Sequence, residues 1–265
     1  MSRVFRKAEK ADAWQLKQLW ADGFGDSSED IDLFFSLQFD SADTYVCSEG
    51  DRILAVAYCL RCVLQSDGAQ QNAGYLYALT SRPDCRRLGI MTALIDFVKA
   101  ELNIPLWLTP ADEKLRQFYQ KRDFVSFASL SERKFAKSKS AAYKAEEISP
   151  EKVYELRQRF LKAKNCITVS PQQLDYAAKF YEAKWLKVGE DAVALAHLDG
   201  GQAQAVELLA VDEQGAADAV CEFFRVDTLT ARVPYAEQLG EKLTPMIWLP
   251  SRHSFDNLYA NFELN

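Results

Sequence analysis

Two rhythms of apolar residues divide this chain into elements. Arg3-Val-Phe-Arg-Lys-Ala8 reads as a strand, whereas Trp14, Leu16, Leu19 and Trp20 recur at helical spacing between Asp12 and Trp20. Asp26-Ser-Ser-Glu-Asp30 is expected to cap a second helix whose apolar positions are Ile31, Phe34, Phe35 and Leu37. Thr44–Ser48 and Ile53–Leu60 flank a Glu49-Gly-Asp51 turn and read as a hairpin. An apolar strand over Tyr75–Leu79 follows, then a turn opened by Pro83, a basic loop holding Gly89, and a helix from about Leu88 to Glu101. Ile90, Leu94, Phe97 and Val98 form the apolar face of that helix. A short strand over Ile104–Pro110, a helix over Asp112–Lys121 and strands after Phe124 complete the set.

The segment Arg133–Ala142 is polar and without periodicity, so it reads as a linker. Beyond it the plan recurs. Tyr143-Lys-Ala-Glu146 echoes Arg6-Lys-Ala-Glu9, and each precedes an amphipathic helix, the second carrying Val153, Tyr154, Leu156 and Phe160. A further helix is expected over Pro171–Trp185. Val188–Leu198 echoes the hairpin that ends at Leu60, and Ala205–Val211 stands where the strand before Pro83 stands. Gly215–Phe224 takes the place of the helix after Gly89, and Leu229–Pro234 that of the next strand. Pro245–Leu249 and Leu258–Leu264 are expected to close the second sheet, with Leu258, Ala260, Phe262 and Leu264 on its buried face. Recurrence in the same order favours an internal duplication, with domains at residues 1–136 and 143–265.

Composition narrows the field only a little. Hydrophobic and charged contents of 48% and 26% are ordinary for a globular protein, with chain enough for one large or two small domains. The net charge of −6 argues against nucleic acid as a partner and mildly favours a cationic acceptor. No apolar run approaches membrane-spanning length and the first residues lead straight into a strand, so neither a membrane partner nor a signal peptide is expected. Cys47, Cys59, Cys62, Cys85, Cys166 and Cys221 fall mostly inside apolar patterns and read as reduced thiols of a cytoplasmic protein. Cys59 and Cys62 share a strand on opposite faces, and the histidines are His197 and His253, so no metal is expected.

The chemistry concentrates at the strand–loop–helix over residues 75–101. A strand running into a helix N-terminus presents unpaired backbone N–H groups and the positive end of the helix dipole together, which suits an anion. Arg86 and Arg87 add charge at the mouth, and Gly89 lets backbone approach a ligand closely. A diphosphate is the expected ligand. The loop lacks the Gly-x-x-x-x-Gly-Lys-Ser/Thr of a P-loop, and Gly89 lacks the Gly-x-Gly spacing of a dinucleotide fingerprint.

Pro83-Asp-Cys-Arg86-Arg-Leu-Gly89-Ile-Met91 resembles motif A of the GCN5-related N-acetyltransferases, the GNAT superfamily. Met91 replaces a residue that is usually small, as in two-domain relatives of the enhanced-intracellular-survival type. Phe118-Tyr119-Gln-Lys-Arg-Asp123-Phe124 is similar to the family's later Phe-Tyr-x-Lys-x-Gly-Phe segment, with Asp123 in place of glycine. The resemblance covers roughly residues 1–135. It implies an α/β (α+β) fold with a mixed, mostly antiparallel sheet flanked by helices, in tandem with a second, degenerate GNAT-like domain.

The resemblance further implies an N-acetyltransferase that takes acetyl-coenzyme A as co-substrate. Leu88, Gly89, Ile90, Met91 and Thr92, with Arg86 and Arg87, would hold its diphosphate, while Leu79, Thr80 and Ser81 would pair with its pantetheine arm. Tyr119 would return a proton to the departing sulfur, as suits a phenol. The acceptor would be a primary amine on a small molecule or peptide, in a cleft walled by the first two helices. Phe24 and Asp26 are the nominated acceptor-site residues, and helix capping is Asp26's alternative role. No acid on Ala73–Ala78 stands out as a general base.

Val211-Asp-Glu-Gln-Gly215 carries acids where the first half carries arginines, so the second half is not expected to bind coenzyme A. The rival expectation is an inactive GNAT-fold protein serving as a coenzyme-A-binding or assembly module. The sequence leaves the acceptor, the acyl length and homo-oligomerisation open.

Overall fold

The computed structural model describes residues 2–127, 130–138, 141–234, 245–250 and 258–260. The chain forms two compact units. The first comprises residues 1–63, 71–125 and 246–254, the second residues 64–70, 126–245 and 255–265.

In chain order the elements are β1 (Arg3–Lys7), α1 (Ala13–Phe24), α2 (Ser28–Leu37), β2 (Thr44–Glu49), β3 (Arg52–Ser66), β4 (Ala69–Ser81), α3 (Ile90–Leu102), β5 (Leu106–Leu108), α4 (Glu113–Gln120) and β6 (Val125–Ser126). There follow β7 (Leu130–Ala136), β8 (Ala145–Glu147), α5 (Pro150–Leu161), β9 (Cys166–Thr168), α6 (Pro171–Phe180), β10 (Lys184–Val188), β11 (Ala192–Asp199), β12 (Gln202–Leu209), α7 (Glu213–Phe224), β13 (Thr228–Pro234) and β14 (Met246–Trp248).

The first sheet runs β1-β2-β3-β4-β5-β14-β6 and the second β7-β13-β12-β11-β10-β8. Both are mixed. β4 lies parallel to β5 and β12 parallel to β13, while β1–β2, β2–β3, β10–β11 and β11–β12 are antiparallel. From its edge strand inward, the second sheet repeats the order of the first: β8, β10, β11, β12 and β13 stand for β1, β2, β3, β4 and β5.

The strand beside that series departs from the sequence expectation in both sheets. Residues 133–136, expected as linker, belong to β7, which pairs antiparallel with β13 from Thr228↔Ala136 to Pro234↔Leu130. Met246–Trp248, expected to close the second sheet, pairs antiparallel with β5 of the first, Ile247 facing Trp107. The units therefore divide differently from domains at 1–136 and 143–265. Alternation specifies that a segment is a strand and which face is apolar, but either sheet offers an equivalent open edge. Of the terminal strand expected over 258–264, Leu258, Tyr259 and Ala260 are buried and Tyr259 bridges to Cys166. The remainder lies outside the described residues.

In the first unit, Tyr45, Cys47, Ala55, Ala57 and Leu76 pack with Ile90, Leu94, Ile95 and Val98 of α3 and with Tyr119 of α4. Trp20 of α1 and Phe34 of α2 pack on Tyr58 and Tyr77. The helix expected to reach Trp185 ends at Phe180, and Trp185 lies in β10 with its indole N–H donating to the Leu174 carbonyl at 2.9 Å. In the second unit Arg157 of α5 makes two 2.7 Å hydrogen bonds to Glu207 of β12, which also accepts from the Tyr259 hydroxyl at 2.6 Å. Burial works against that guanidinium's charge, and the carboxylate more than restores it.

Candidate active site

Helix starts set the stage. α2, α4, α5, α6 and α7 each begin on a Ser or Asp whose side chain accepts a first-turn N–H. α3 begins on Gly89, which offers no side-chain cap to its first-turn donors; α1, which continues directly from the turn at Lys10–Asp12, also lacks a side-chain cap. The helix starts at Ile90 rather than at the expected Leu88. Leu88 is an exposed loop residue between Arg87 at φ 64° and Gly89 at φ 75°. Left-handed backbone at Arg87 and at Gly89 thus flanks Leu88 immediately before the helix. A side chain added at Gly89 would point into open space, so the position is clear for an approaching group.

The strand leading there is distorted. Ala78 of β4 holds φ 47°, a conformation that costs a non-glycine residue about 1–3 kcal/mol. The parallel ladder to β5 registers Gly74 with Leu106 and Tyr75 with Trp107, and ends before that kink. Leu79, Thr80 and Ser81 continue past the kink. Thr80 is buried and Leu79 packs against the same core as Ile90 and Tyr119. Arg82 anchors the strand end by donating to the Ile53 carbonyl at 2.6 Å. Arg86 and Arg87 are exposed, and the Arg86 Nε donates to the Ser81 carbonyl at 3.4 Å.

Tyr119, near the end of α4, is 7% exposed and packs its ring between Phe118 and Phe124. Burial pushes its phenol up to about 12, with the nearby Arg122 charge pulling the other way. The hydroxyl is therefore protonated throughout the physiological range. Asp123 holds φ 60°, the left-handed turn that glycine would otherwise supply.

Arg122 was not legible as part of the site. Its guanidinium stacks 3.5 Å from the Phe118 ring centre and donates to the Phe118 carbonyl and to the Thr92 hydroxyl on the first turn of α3. It thereby fixes the end of α4 to the start of α3 and engages Thr92, a residue nominated for the cofactor. The sequence showed an arginine in a loop, and only folding reveals what it reaches.

Phe24 closes α1, and its half-exposed ring packs edge-on against Trp20 at 5.9 Å. Asp26 is not the helix cap. Ser27 performs that task, accepting the Asp30 N–H, while Asp26 accepts the Trp20 indole N–H at 2.7 Å. A Cβ on Gly23 would collide with the Thr80 hydroxyl oxygen, so the last turn of α1 abuts the end of β4. The fold thus gathers β4's end, the start of α3 and Tyr119 around one core, with Gly23 against β4 and both Phe24 and Asp26 in contact with Trp20.

The equivalent place in the second unit is closed to anions. Asp212 caps α7 by accepting the Gly215 N–H at 3.0 Å, and Glu213 occupies the first turn paired with Arg133. A built-in carboxylate already fills the position that an anion would take. Among the described residues no group of three His, Cys, Asp or Glu side chains could hold a metal, and no helix is long and apolar enough to cross a membrane. The cysteines are free and buried.

Residues 4–125 match the family model of the acetyltransferase (GNAT) domain. Solved structures share the fold over nearly the whole chain. A GCN5-related N-acetyltransferase from Kribbella flavida superposes with a TM-score of 0.73 at 14% identity, covering 94% of this chain and 71% of its own. One from Anabaena variabilis gives 0.75 at 13%, covering 94% and 73%. Eis1 from Mycobacterium abscessus gives 0.72 at 11%, covering 94% and 74%. A comparison with the curated proteins finds no sequence match.

Proposed function

We propose that this chain, whose residues 4–125 match the GNAT acetyltransferase domain model, moves an acetyl group from acetyl-coenzyme A to a primary amine by direct attack. The observation that carries the reading is the uncapped start of α3 at Gly89, set after a kinked strand in a chain whose α7 is capped by Asp212.

In this reading the diphosphate sits on the N–H groups of residues 88–91, with Arg86 and Arg87 adding charge. The pantetheine arm pairs along Leu79–Ser81, and the Leu79 N–H polarises the thioester carbonyl. A neutral amine attacks the carbonyl carbon, the carbon–sulfur bond breaks, and Tyr119 donates its proton to the sulfur. The amine's surplus proton leaves to solvent and Tyr119 is reprotonated, so the products are an amide and free thiol. Proximity supplies much of the rate.

The test is a thermal shift with acetyl-coenzyme A followed by thiol release across an amine panel. A ligand at about 100 times its Kd stabilises the folded state by about 2.7 kcal/mol. Arg86→Glu, at an exposed position, removes that shift and leaves the apo melting temperature unchanged. A wild-type protein that binds without turning over any amine favours the rival reading, an inactive coenzyme-A-binding module.

A further inference from the structure

We infer that Arg122 is a positioning residue that couples the cofactor end of the site, the first turn of α3, to the proton donor Tyr119. This rests on the acetyltransferase reading and adds the residue that joins its two ends. The Arg122 backbone N–H donates to the Tyr119 carbonyl at 2.9 Å, and that carbonyl also accepts from the Phe124 N–H at 3.2 Å, which closes the end of α4. From this turn the guanidinium folds back over the Phe118 ring, 3.5 Å from its centre. One of its terminal nitrogens donates to the Phe118 carbonyl and the other to the Thr92 hydroxyl. A single planar fork therefore holds the residue before Tyr119 and a residue on the first turn of α3.

Two features take this beyond a packing contact. Thr92 accepts from Arg122, so its own O–H remains for donation elsewhere. Thr92 stands among the residues proposed to hold the diphosphate, and a hydroxyl polarised by a guanidinium donates more strongly to a phosphate oxygen. The second feature is charge. Among the described residues no carboxylate pairs directly with Arg122, and the groups that act on its charge are Asp96, one turn along α3 from Thr92, and Tyr119. Its Nε is buried without a partner, so the fork and the ring hold the side chain in place rather than full satisfaction of its donors. An arginine stays charged there despite burial. Its field acts against the burial that makes the Tyr119 phenol a weak acid. As Tyr119 passes its proton to the sulfur, negative charge grows on the phenol oxygen, and Arg122 favours that change without giving up a proton itself.

The experiment is a double-mutant cycle in thiol release from acetyl-coenzyme A. Spermidine, 2-phenylethylamine and glucosamine serve as acceptors, with kinetics taken on the one turned over fastest. Arg122→Leu, which keeps apolar cover on Phe118, should lower kcat about tenfold while the acceptor KM stays within about twofold. In the Tyr119→Phe background the same change should lower kcat by less than about twofold, because the group it serves is gone. Thr92→Val, which removes the hydroxyl at constant shape, should lower kcat and raise the acetyl-coenzyme A KM by about threefold each, with kcat again unmoved in Tyr119→Phe. A tenfold loss in both Tyr119 backgrounds would make Arg122 a structural residue, and a wild-type kcat in Arg122→Leu would make it a bystander. Either overturns the inference and leaves acetyl transfer standing, as does wild-type turnover in Tyr119→Phe. Should Arg122→Leu fail to fold, Thr92→Val in the two Tyr119 backgrounds decides in the same way. No thiol release with any of the three amines also overturns the inference. If acetyl-coenzyme A then gives no thermal shift either, the acetyltransferase reading falls with it.

Discussion

Gly89→Ala separates backbone strain from ligand approach. Gly89 holds φ 75° with nothing within 4 Å of an added Cβ, so the folded protein pays only the left-handed conformation, about 1–2 kcal/mol. For a protein of this size that lowers the melting temperature by roughly 2–4 °C per kcal/mol. Gly68, in the β3–β4 turn, holds φ 77° and is equally open, so Gly68→Ala should lose a similar amount. The two variants differ in where the new methyl points. At position 89 it stands in the path by which a diphosphate would reach the α3 N–H groups, and a tenfold weaker Kd removes about 1.4 kcal/mol of ligand stabilisation. The assay is differential scanning calorimetry of both variants and the wild type, with and without acetyl-coenzyme A. Similar apo losses are expected, with a reduced ligand shift in Gly89→Ala alone. An undiminished shift in Gly89→Ala would refute the placement of the diphosphate.

Tyr119→Phe should keep acetyl-coenzyme A affinity and lower turnover by roughly 10²-fold, measured by thiol release; unchanged turnover would assign Tyr119 to packing. Arg157→Met strands the buried Glu207 and should cost about 3–5 kcal/mol in urea denaturation, whereas Arg157→Met with Glu207→Leu should recover most of it. Burial pushes the Asp12 carboxyl up, but hydrogen bonds from Arg6 at 2.7 and 3.1 Å and from the Glu9 N–H at 2.7 Å outweigh it and hold the group below its usual range. Its stabilisation is complete above the unfolded value near 3.9 and is lost as pH falls through the lower folded value. Wild type should therefore lose more stability than Asp12→Asn on acidification below about pH 4, as followed by circular dichroism; parallel losses would show the pair to be neutral.

What the sequence determined by itself was local. The strand, basic loop and helix around Gly89 were legible because a helix start, a left-handed glycine and an apolar stripe are all encoded within a few residues. Asp123 in a left-handed turn and Asp212 opposing anions at α7 were readable for the same reason. Caps were harder, since Asp26 and Ser27 are both competent and the indole of Trp20 decided between them. The tertiary structure alone decided which sheet each late strand joins. β7 and β14 carry the right alternation for either edge, and the choice depends on backbone partners more than 80 residues away. It likewise decided that Arg122 reaches Thr92, that Gly23 meets Thr80, and that Trp20 links Phe24 to Asp26. Alternation and spacing report what a residue does to its own segment, whereas the site is made of what side chains meet across segments, and only the packed core fixes those meetings.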